Sequence, residues 1–565
     1  MKETIGNFLL RRLEAVGIRH IFGVPGDFNL EFVQQLEDRG RPEWVGNCNE
    51  LNASYAADGY ARLNGSAALV VTNGVGALSA INGIAGSYSE HLPIVCICGS
   101  LPLRSIARRT MMHHTLADGS EDVFLRVYRQ VTAAQAQLTP QNAAEEVDRL
   151  IRTAWRLKRP VYLELPSDIA YLEIQVPDEP LVLREHESDE ERLASCARHI
   201  AGRLSSARRP AVLIDMDAER FGVLQEVNEL TEKLHLPVAT MSSSKGTFSE
   251  QSPLFAGIYF GSASSQQVRD LVEGSDCLIA IGHRRVDSTS GFFTDHLPDS
   301  VIRLHGYSAD VSNEYYEGIT LRAVLRRVID SVPVRQAEPA RHRTVANSTA
   351  LETSDTPLTQ AEFWGALQNF VRPGDVIIAE DGTSSSGGTR LVLPAGCTFI
   401  TQAIWGSIGY TLGALLGTLK AAPERRHILL IGDGSFQLTA QELSTILRHD
   451  LKPLIFLINN GGYTIERTIL GLDAKYNDVA NWHYADLPRV FSRREVASHV
   501  VATSKELSEV LRAVNDSFIF VELLMKPDDA PLGLIRGGHA SANLDYGPRG
   551  PQSAPGAQIP VPKSC

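Results

Sequence analysis

Ile431-Gly432-Asp433-Gly434-Ser435, a helical pattern over Leu438–Arg448, the apolar run Pro453–Ile458 and then Asn459-Asn460-Gly461-Gly462-Tyr463 form the stretch that decides the fold. It reads as a strand, a tight glycine-bounded turn, a crossover helix and a second strand. In such a unit the strands run parallel and their C-terminal ends come to lie side by side, which predicts Asp433 and Asn460 in one crevice. A carboxylate, an amide oxygen and a backbone carbonyl make a hard-oxygen set suited to magnesium, with room left for phosphate oxygens and a water. Gly432 and Gly434 would let the backbone approach the phosphates, and the helix that follows would supply N–H donors. Alone, Gly-Asp-Gly is a generic turn and Asn-Asn a generic strand end. The spacing of the two is what points to a site.

The same alternation extends in both directions. Ala68–Thr72, Ile94–Cys98, Val161–Leu165, Ala211–Ile214, Cys277–Ile281, Val376–Ala379 and His427–Ile431 are short apolar runs separated by helical patterns. Runs of this kind are buried strands of parallel sheets with helices between them. The expected fold class is therefore α/β, with three doubly wound domains built on mainly parallel sheets. Their expected bounds are 1–182, 191–333 and 357–530, with a polar linker over 334–356 and a Gly-, Ala-, Ser- and Pro-rich tail over 531–565. Such a tail buries too little apolar surface to offset its ordering entropy and is expected to be mobile.

The composition narrows the function. The 565 residues, 43% hydrophobic and 21% charged, carry a formal net charge of -12, which argues against a nucleic-acid binder. Seven cysteines without a CxxC pair argue against a disulfide framework or a structural zinc site. No run approaches the roughly 20 apolar residues of a membrane span. The N-terminal segment reads as an amphipathic helix feeding a strand at His20–Val24, so a cytoplasmic protein is expected.

Four features stand out in the first block: Val24-Pro25-Gly26-Asp27 past a strand, Asn49-Glu50 after Trp44-Val45, Gly74-Val75-Gly76 after Val70-Val71-Thr72, and the adjacent His113-His114. Singly they read as a turn, a surface acid, a helix entry and a solvated pair. Adjacent histidines cannot share one face of a helix or strand, so a loop is expected there.

Taken in order, the motifs resemble those of the thiamine-diphosphate-dependent 2-oxo-acid decarboxylases. The resemblance rests on Gly23–Phe28, Cys48–Ala53, Glu90-His91-Leu92-Pro93, His113-His114-Thr115, Trp405–Tyr410, Gly432–Thr439 and Gly462–Glu466. It spans roughly residues 3–530 and implies a pyrimidine-binding, a middle and a diphosphate-binding domain. It also implies thiamine diphosphate held through Mg2+ by Asp433, Asn460 and the Gly462 carbonyl. Implied cofactor contacts are Pro25, Gly26, Thr72 and Asn82 in the first block. In the third block they are Asp381, Thr383, Gly406, Ile408, Gly432, Asp433, Gly434, Ser435, Asn460, Gly462, Tyr463 and Ile465. In relatives the first block of one subunit faces the third block of another, which implies at least a homodimer and an expected homotetramer.

The same resemblance gives Glu50 the role of activating the cofactor's aminopyrimidine, a task that suits a carboxyl of raised pKa. Asp27, His114 and Glu466 would manage protonation and aldehyde release, with His113 hydrogen-bonded among them. Pocket positions would be Ser288, Ser385, Ser386 and Ile469. Ser385 and Ser386 stand where relatives often carry large rings, so an aromatic or long 2-oxo acid such as indolepyruvate or phenylpyruvate is expected. Asp381 stands where relatives often carry an uncharged residue. Gly537-Gly538 fall in the segment that closes the site as a helix in relatives, and each costs a helix roughly 1 kcal/mol. A carboligase is the nearest alternative. A nicotinamide or flavin oxidoreductase would need a GxGxxG fingerprint, which is lacking, and a dead regulatory subunit would have lost Glu50 or the metal ligands.

Overall fold

A computed structural model describes residues 1–335 and 354–546. The linker expected over 334–356 falls almost wholly outside the described residues, as does 547–565. Three sheets organise the rest. In the first, strands His20–Gly23, Glu43–Gly46, Ala67–Thr72, Ile94–Ser100, Gln135–Gln137 and Val161–Pro166 are parallel throughout. Numbered in chain order, they lie 2-1-3-4-6-5 across the sheet. The third sheet is built of Val376–Ala379, Thr398–Ile400, His427–Gly432, Leu454–Asn459, Ala497–Val501 and Ile519–Leu524. It is also parallel throughout and repeats the same order. This repeat of topology left no trace as a short sequence period. The middle sheet differs: strands between Pro210 and Leu304 pair in parallel, and Ser308–Val311 and Glu314–Glu317 extend it antiparallel.

The central strands of the outer sheets are buried along their whole length, as expected of sheets covered by helices on both faces. Local signals set the helix ends. Asn49 accepts from the backbone of Asn52 to open the helix Glu50–Asn64, and Gly65 closes it in the left-handed conformation. Glu50 is thus the first residue of its helix.

Three expectations need correction. The strand expected over His20–Val24 ends at Gly23. The helix expected over Leu438–Arg448 starts earlier, at Asp433, and is broken: helix Asp433–Thr439 and helix Leu443–Arg448 are separated by a 3-10 turn, Ala440–Glu442. The break aims the buried Glu442 carboxylate at the first block, where it accepts from Asn47, Cys48 and Asn52. The third correction concerns the tail, which forms a helix, Leu532–Tyr546.

One hydrophobic cluster joins the first and third sheets, running from Phe22 and Val71 through Tyr55 and Ala56 to Leu412, Leu415 and Ile431. Fully buried leucines of this kind contribute about 1.5–3 kcal/mol each. The middle sheet keeps a core of its own. It is tied to the first block by His91 Nδ1 on Asp217 (2.5 Å) and to the third by the buried Lys245–Glu250 pair, which reaches the Leu391 carbonyl and the Leu393 N–H.

Glu164, on the last strand of the first sheet in chain order, is 2% exposed, and its carboxylate accepts from Gln137. Burial pushes its carboxyl up to about 7 against an ordinary value of 4.5. Below that ordinary value both folded and unfolded states hold the proton. As pH rises through the window between the two values, the unfolded chain releases a proton that the fold retains, and up to about 3 kcal/mol of stability is lost. Glu164→Gln should therefore gain in melting temperature relative to the parent as pH rises from 5 to about 7.5. A constant offset across that range would contradict the assignment.

Candidate active site

The strand order 2-1-3 places strands 1 and 3 of each outer sheet side by side, where their connections depart in opposite directions. Crevices of this kind receive ligands at the C-terminal ends of the strands. In the third sheet those ends deliver Glu380-Asp381-Gly382 and Gly432-Asp433, with Asn460 on the adjoining strand end. In the first sheet they deliver Val24–Asp27 and Thr72–Gly74.

Asp433 is 1% exposed, and its two carboxylate oxygens accept from the N–H groups of Gly434 (2.8 Å) and Gly462 (3.0 Å). Burial pushes its carboxyl up to about 6, opposed by those N–H donors and by Arg467. Asn460 donates its amide nitrogen to Thr464 Oγ1 (2.8 Å), which leaves its oxygen for a cation. Gly462 has φ +137°, and a Cβ there would lie 2.0 Å from the Asn477 carbonyl. A Cβ on Gly432 or Gly461 would meet nothing within 4 Å, so the crevice is open on that side. At Gly434 the Tyr463 ring fills the space a side chain would take, 2.5 Å from a Cβ. Ser435 is buried behind it.

Gly382 has φ +90° and a Cβ position 3.8 Å from Ile465, which sits on the helix Thr464–Ile469. Thr383 opens the short helix Thr383–Gly388. Asp381 accepts from Gly382 N (2.8 Å) and from Ser385 Oγ (3.5 Å), and its other oxygen lies 3.5 Å from the Cβ position of Gly406. Both Asp381 and Glu466 open to the cleft, yet crowding by the surrounding protein raises each carboxyl, and the charge of Asp381 adds to the rise at Glu466. Ile408 is half-buried in the turn that follows Gly406. Asn82 is engaged within the chain: it accepts from Trp405 Nε1 (2.9 Å) and donates to Ser407 and Tyr55.

On the first sheet, Asn29 folds the turn by accepting from Gly26 N and donating to the Val24 carbonyl, which presents Pro25 and Asp27 at the surface. His113 Nε2 meets Asp27 at 2.9 Å, the His113 and His114 rings lie 4.5 Å apart, and Phe28 stacks on His113. The histidines occupy a loop, as expected. His114 has φ +59°, and its carbonyl accepts from Asn73, while Gly74 supplies the room: a Cβ there would stand 2.1 Å from that oxygen. Half-buried Glu50 places a carboxylate oxygen 3.1 Å from the Cβ position of Gly76, and that position is 3.2 Å from Thr72. Glu50 accepts no hydrogen bond from any described residue, and the buried Thr72 hydroxyl has no partner either. The buried, unpartnered Thr72 hydroxyl at the strand end, with the half-buried Glu50 carboxylate beside it, fits a polar ligand group.

These two groups, Asp27 with His113, His114, Glu50 and Thr72, and Asp433 with Asn460, Gly462, Asp381 and Glu466, are not joined by any hydrogen bond or ion pair among the described residues. Sequence reading missed Thr464, which orients Asn460, and Arg467, which bonds the Gly461 carbonyl and Asp478 (3.0 Å) and so braces the loop. Their spacing, i+4 from Asn460 and i+3 from Thr464, was the available signal. Asn73 and Asn29 had none beyond their adjacency to strand ends.

Three stretches match the thiamine pyrophosphate enzymes: the N-terminal TPP binding domain over 3–121, the central domain over 197–332 and the C-terminal TPP binding domain over 383–523. The chain is 37% identical to pyruvate decarboxylase isozyme 2 of Saccharomyces cerevisiae, over 94% of this chain and 97% of the relative. It is 40% identical to the alpha-keto-acid decarboxylase of Mycolicibacterium paratuberculosis, over 94% and 95% respectively. The chain belongs to the thiamine-diphosphate-dependent 2-oxo-acid decarboxylases. As a member of that family it is a carboxy-lyase, and the donor set at Asp433, the open space beside Gly432 and Gly461, and the unsatisfied Glu50 and Thr72 fit its cofactor.

In this decarboxylase the residues expected to line the pocket are distributed. Ser385 and Ser386 lie on the helix Thr383–Gly388, Ile469 ends the helix Thr464–Ile469, and the Ser288 hydroxyl is buried without a partner in the middle block. The helix Leu532–Tyr546 packs against Thr464–Ile469 and Thr383–Gly388. Its two glycines, expected to weaken it, instead let it approach. A Cβ on Gly538 would lie 2.0 Å from Thr468 Oγ1, and Gly537 faces Phe292 of the middle block at 3.7 Å. The contact outweighs the lost helix propensity of about 2 kcal/mol. Gly538→Ala should push this helix away, so trypsin should cut at Arg536 faster than in the parent while the melting of the remainder changes little. Unchanged cleavage would mean that the contact does not hold the helix.

Proposed function

We propose that the protein decarboxylates a bulky or aromatic 2-oxo acid to its aldehyde, with thiamine diphosphate anchored through Mg2+ by Asp433, Asn460 and the Gly462 carbonyl. The observation that carries this reading is the oxygen set at Asp433, with Asn460's amide turned by Thr464 so that its oxygen is free. When bound, the cofactor supplies the nucleophilic carbon and the electron sink that make loss of carbon dioxide from a 2-oxo acid easy.

The chain's residues place and protonate. Glu50, whose carboxylate has no partner of its own, holds a proton against the cofactor's pyrimidine. Gly406 and Ile408 orient the ring. Asp27, His113 and His114 are close enough to pass a proton among themselves. Glu466, its carboxyl raised by crowding and by Asp381, suits proton donation to the product-forming carbon. The reading further includes a homodimer, in which the first-sheet group of one subunit completes the third-sheet group of another, assembled as a tetramer in the cytoplasm. Its support is that no hydrogen bond or ion pair among the described residues joins the two groups within one chain. In addition, Val75, Leu78 and Leu438, on the helices that follow strand 3 of each outer sheet, are exposed apolar side chains.

Support for a bulky substrate is the small size of Ser385 and Ser386. Part of the space at Ser386 is taken by the C-terminal helix, since its Oγ lies 3.1 Å from the Cβ position of Gly533, so Ser385 decides the remaining width. A coupled aldehyde assay from pyruvate to indolepyruvate should rank the aromatic acids first. Ser385→Phe should shift kcat/KM towards pyruvate by about tenfold or more. Preference for pyruvate in the parent would refute the substrate assignment.

Glu50→Gln should still bind the cofactor while losing most turnover, and Asp433→Ala should fail to retain cofactor and metal after gel filtration. Near-normal activity of the first variant, or cofactor retention by the second, would overturn the corresponding role.

A further inference from the structure

Glu380 follows the first strand of the third sheet and is 1% exposed, yet it makes no ion pair among the described residues. Its carboxylate instead collects neutral donors. One oxygen accepts from Gly409 N (3.2 Å), Thr411 N (3.3 Å) and Thr411 Oγ1 (2.6 Å), and the other from Asp381 N (3.1 Å). Gly409 is the N-cap residue of the helix Tyr410–Ala421, has φ +85° and offers no side chain to cap it. Glu380 therefore caps that helix from another strand, where a carboxylate interacts favourably with the helix dipole.

The same contact fixes the turn before the helix. The Gly409 N–H goes to Glu380, while its carbonyl accepts from Thr439 Oγ1 (2.7 Å), at the end of the helix that begins with Asp433. The Glu380 backbone N–H bonds the Leu430 carbonyl, three residues before Asp433. One residue is thus gripped between the strand end at 380 and the helix starting at 433, and Gly406–Ile408 lie directly upstream of it. Gly406 has φ +61°, and Asp381, next to Glu380, is its nearest side-chain neighbour.

We propose that Glu380 is a positioning residue that sets the distance between the pyrimidine-holding turn Gly406–Ile408 and the metal ligand Asp433. This rests on the cofactor reading above. Loss of the carboxylate would let the turn move relative to Asp433, so a rigid cofactor could no longer satisfy both ends at once. Binding of the 2-oxo acid, which Glu380 does not touch, would be spared. Burial pushes the Glu380 carboxyl up to about 7, opposed by its hydrogen bonds, in keeping with a group retained for its acceptor geometry.

The test uses the full-length protein. Glu380→Gln keeps the shape but turns an amide N–H2 towards N–H donors. Thr411→Val removes only the shortest of the bonds. Calorimetric titration of cofactor-stripped protein with thiamine diphosphate and Mg2+ should show the dissociation constant raised about tenfold to a hundredfold in Glu380→Gln and by a smaller factor in Thr411→Val. In Glu380→Gln kcat should fall by about tenfold, with KM for the 2-oxo acid within about twofold of the parent. The double variant should resemble Glu380→Gln alone, because both changes break one network. Melting temperatures without cofactor provide the control. If both variants melt lower yet bind cofactor and turn over like the parent, Glu380 serves the fold only and the proposal fails. If Glu380→Gln does not fold, the cofactor affinity of Thr411→Val decides in the same way. A parent protein that does not bind thiamine diphosphate would instead overturn the cofactor reading, a result distinct from any change confined to the variants.

Discussion

Two helices in near backbone contact hold the outer sheets together. Helix Glu50–Asn64 and helix Tyr410–Ala421 approach so closely that a Cβ on Gly59 would lie 2.3 Å from the Ala414 carbonyl, and one on Gly417 would lie 1.9 Å from the Ala56 carbonyl. Gly413 makes room for Tyr55 in the same way. Glu50 opens one helix, and the turn Gly406–Gly409 leads into the other. Glycine costs a helix about 1 kcal/mol, and here the return is a fixed relation between two strand-end crevices that belong to different sheets.

Around that contact the charges are arranged to make the docking specific. Asp58, fully buried, accepts from Arg62, Ser87 and Tyr410, and Arg62 also reaches Glu90 and the Thr401 carbonyl. Glu90 in turn accepts from Ile404 N. Removing Arg62 would strand the buried Asp58 and Glu90 charges, a loss of roughly 3–5 kcal/mol, whereas a greasy replacement of the whole cluster would be far less damaging. The network therefore restricts how the segment 401–410 is held more than it adds net stability. Asn82 and Trp405 continue it at the rim.

The sequence made the sheets and the shared strand-end placement of Asp433 and Asn460 legible because both depend on local pattern. Apolar runs bounded by glycine give buried parallel strands, and Asp433 and Asn460 are set by strand ends one crossover apart. Asp27 with the histidine pair became legible through resemblance, and the structure brings those three side chains together. What could not be read depends on contacts remote in sequence. Gly434 makes room for the Tyr463 ring, a contact its neighbouring residues do not announce. Gly537-Gly538 looked like helix breakers, because propensity is local and the benefit of packing on Thr468 is not. Asn82 resembled a ligand contact and is engaged by Trp405 of its own chain. The 3-10 break at Ala440–Glu442 exists to deliver Glu442 to Asn47 and Asn52, nearly 400 residues earlier.

The repeated strand order of the outer sheets carries a consequence for affinity. In the dimer proposed above, a first-sheet crevice of one chain and a third-sheet crevice of the other would grip an elongated ligand with unlike ends twice, one end charged and held through oxygens, the other aromatic and read by hydrogen bonds. Once the first end is held, the second grip is intramolecular and works at an effective concentration set by the rigidity of the frame, so neither needs to be strong alone. The two sites are then thermodynamically one. An alteration that loosens the frame weakens binding at both ends without touching a single contact, and the frame itself becomes part of the specificity.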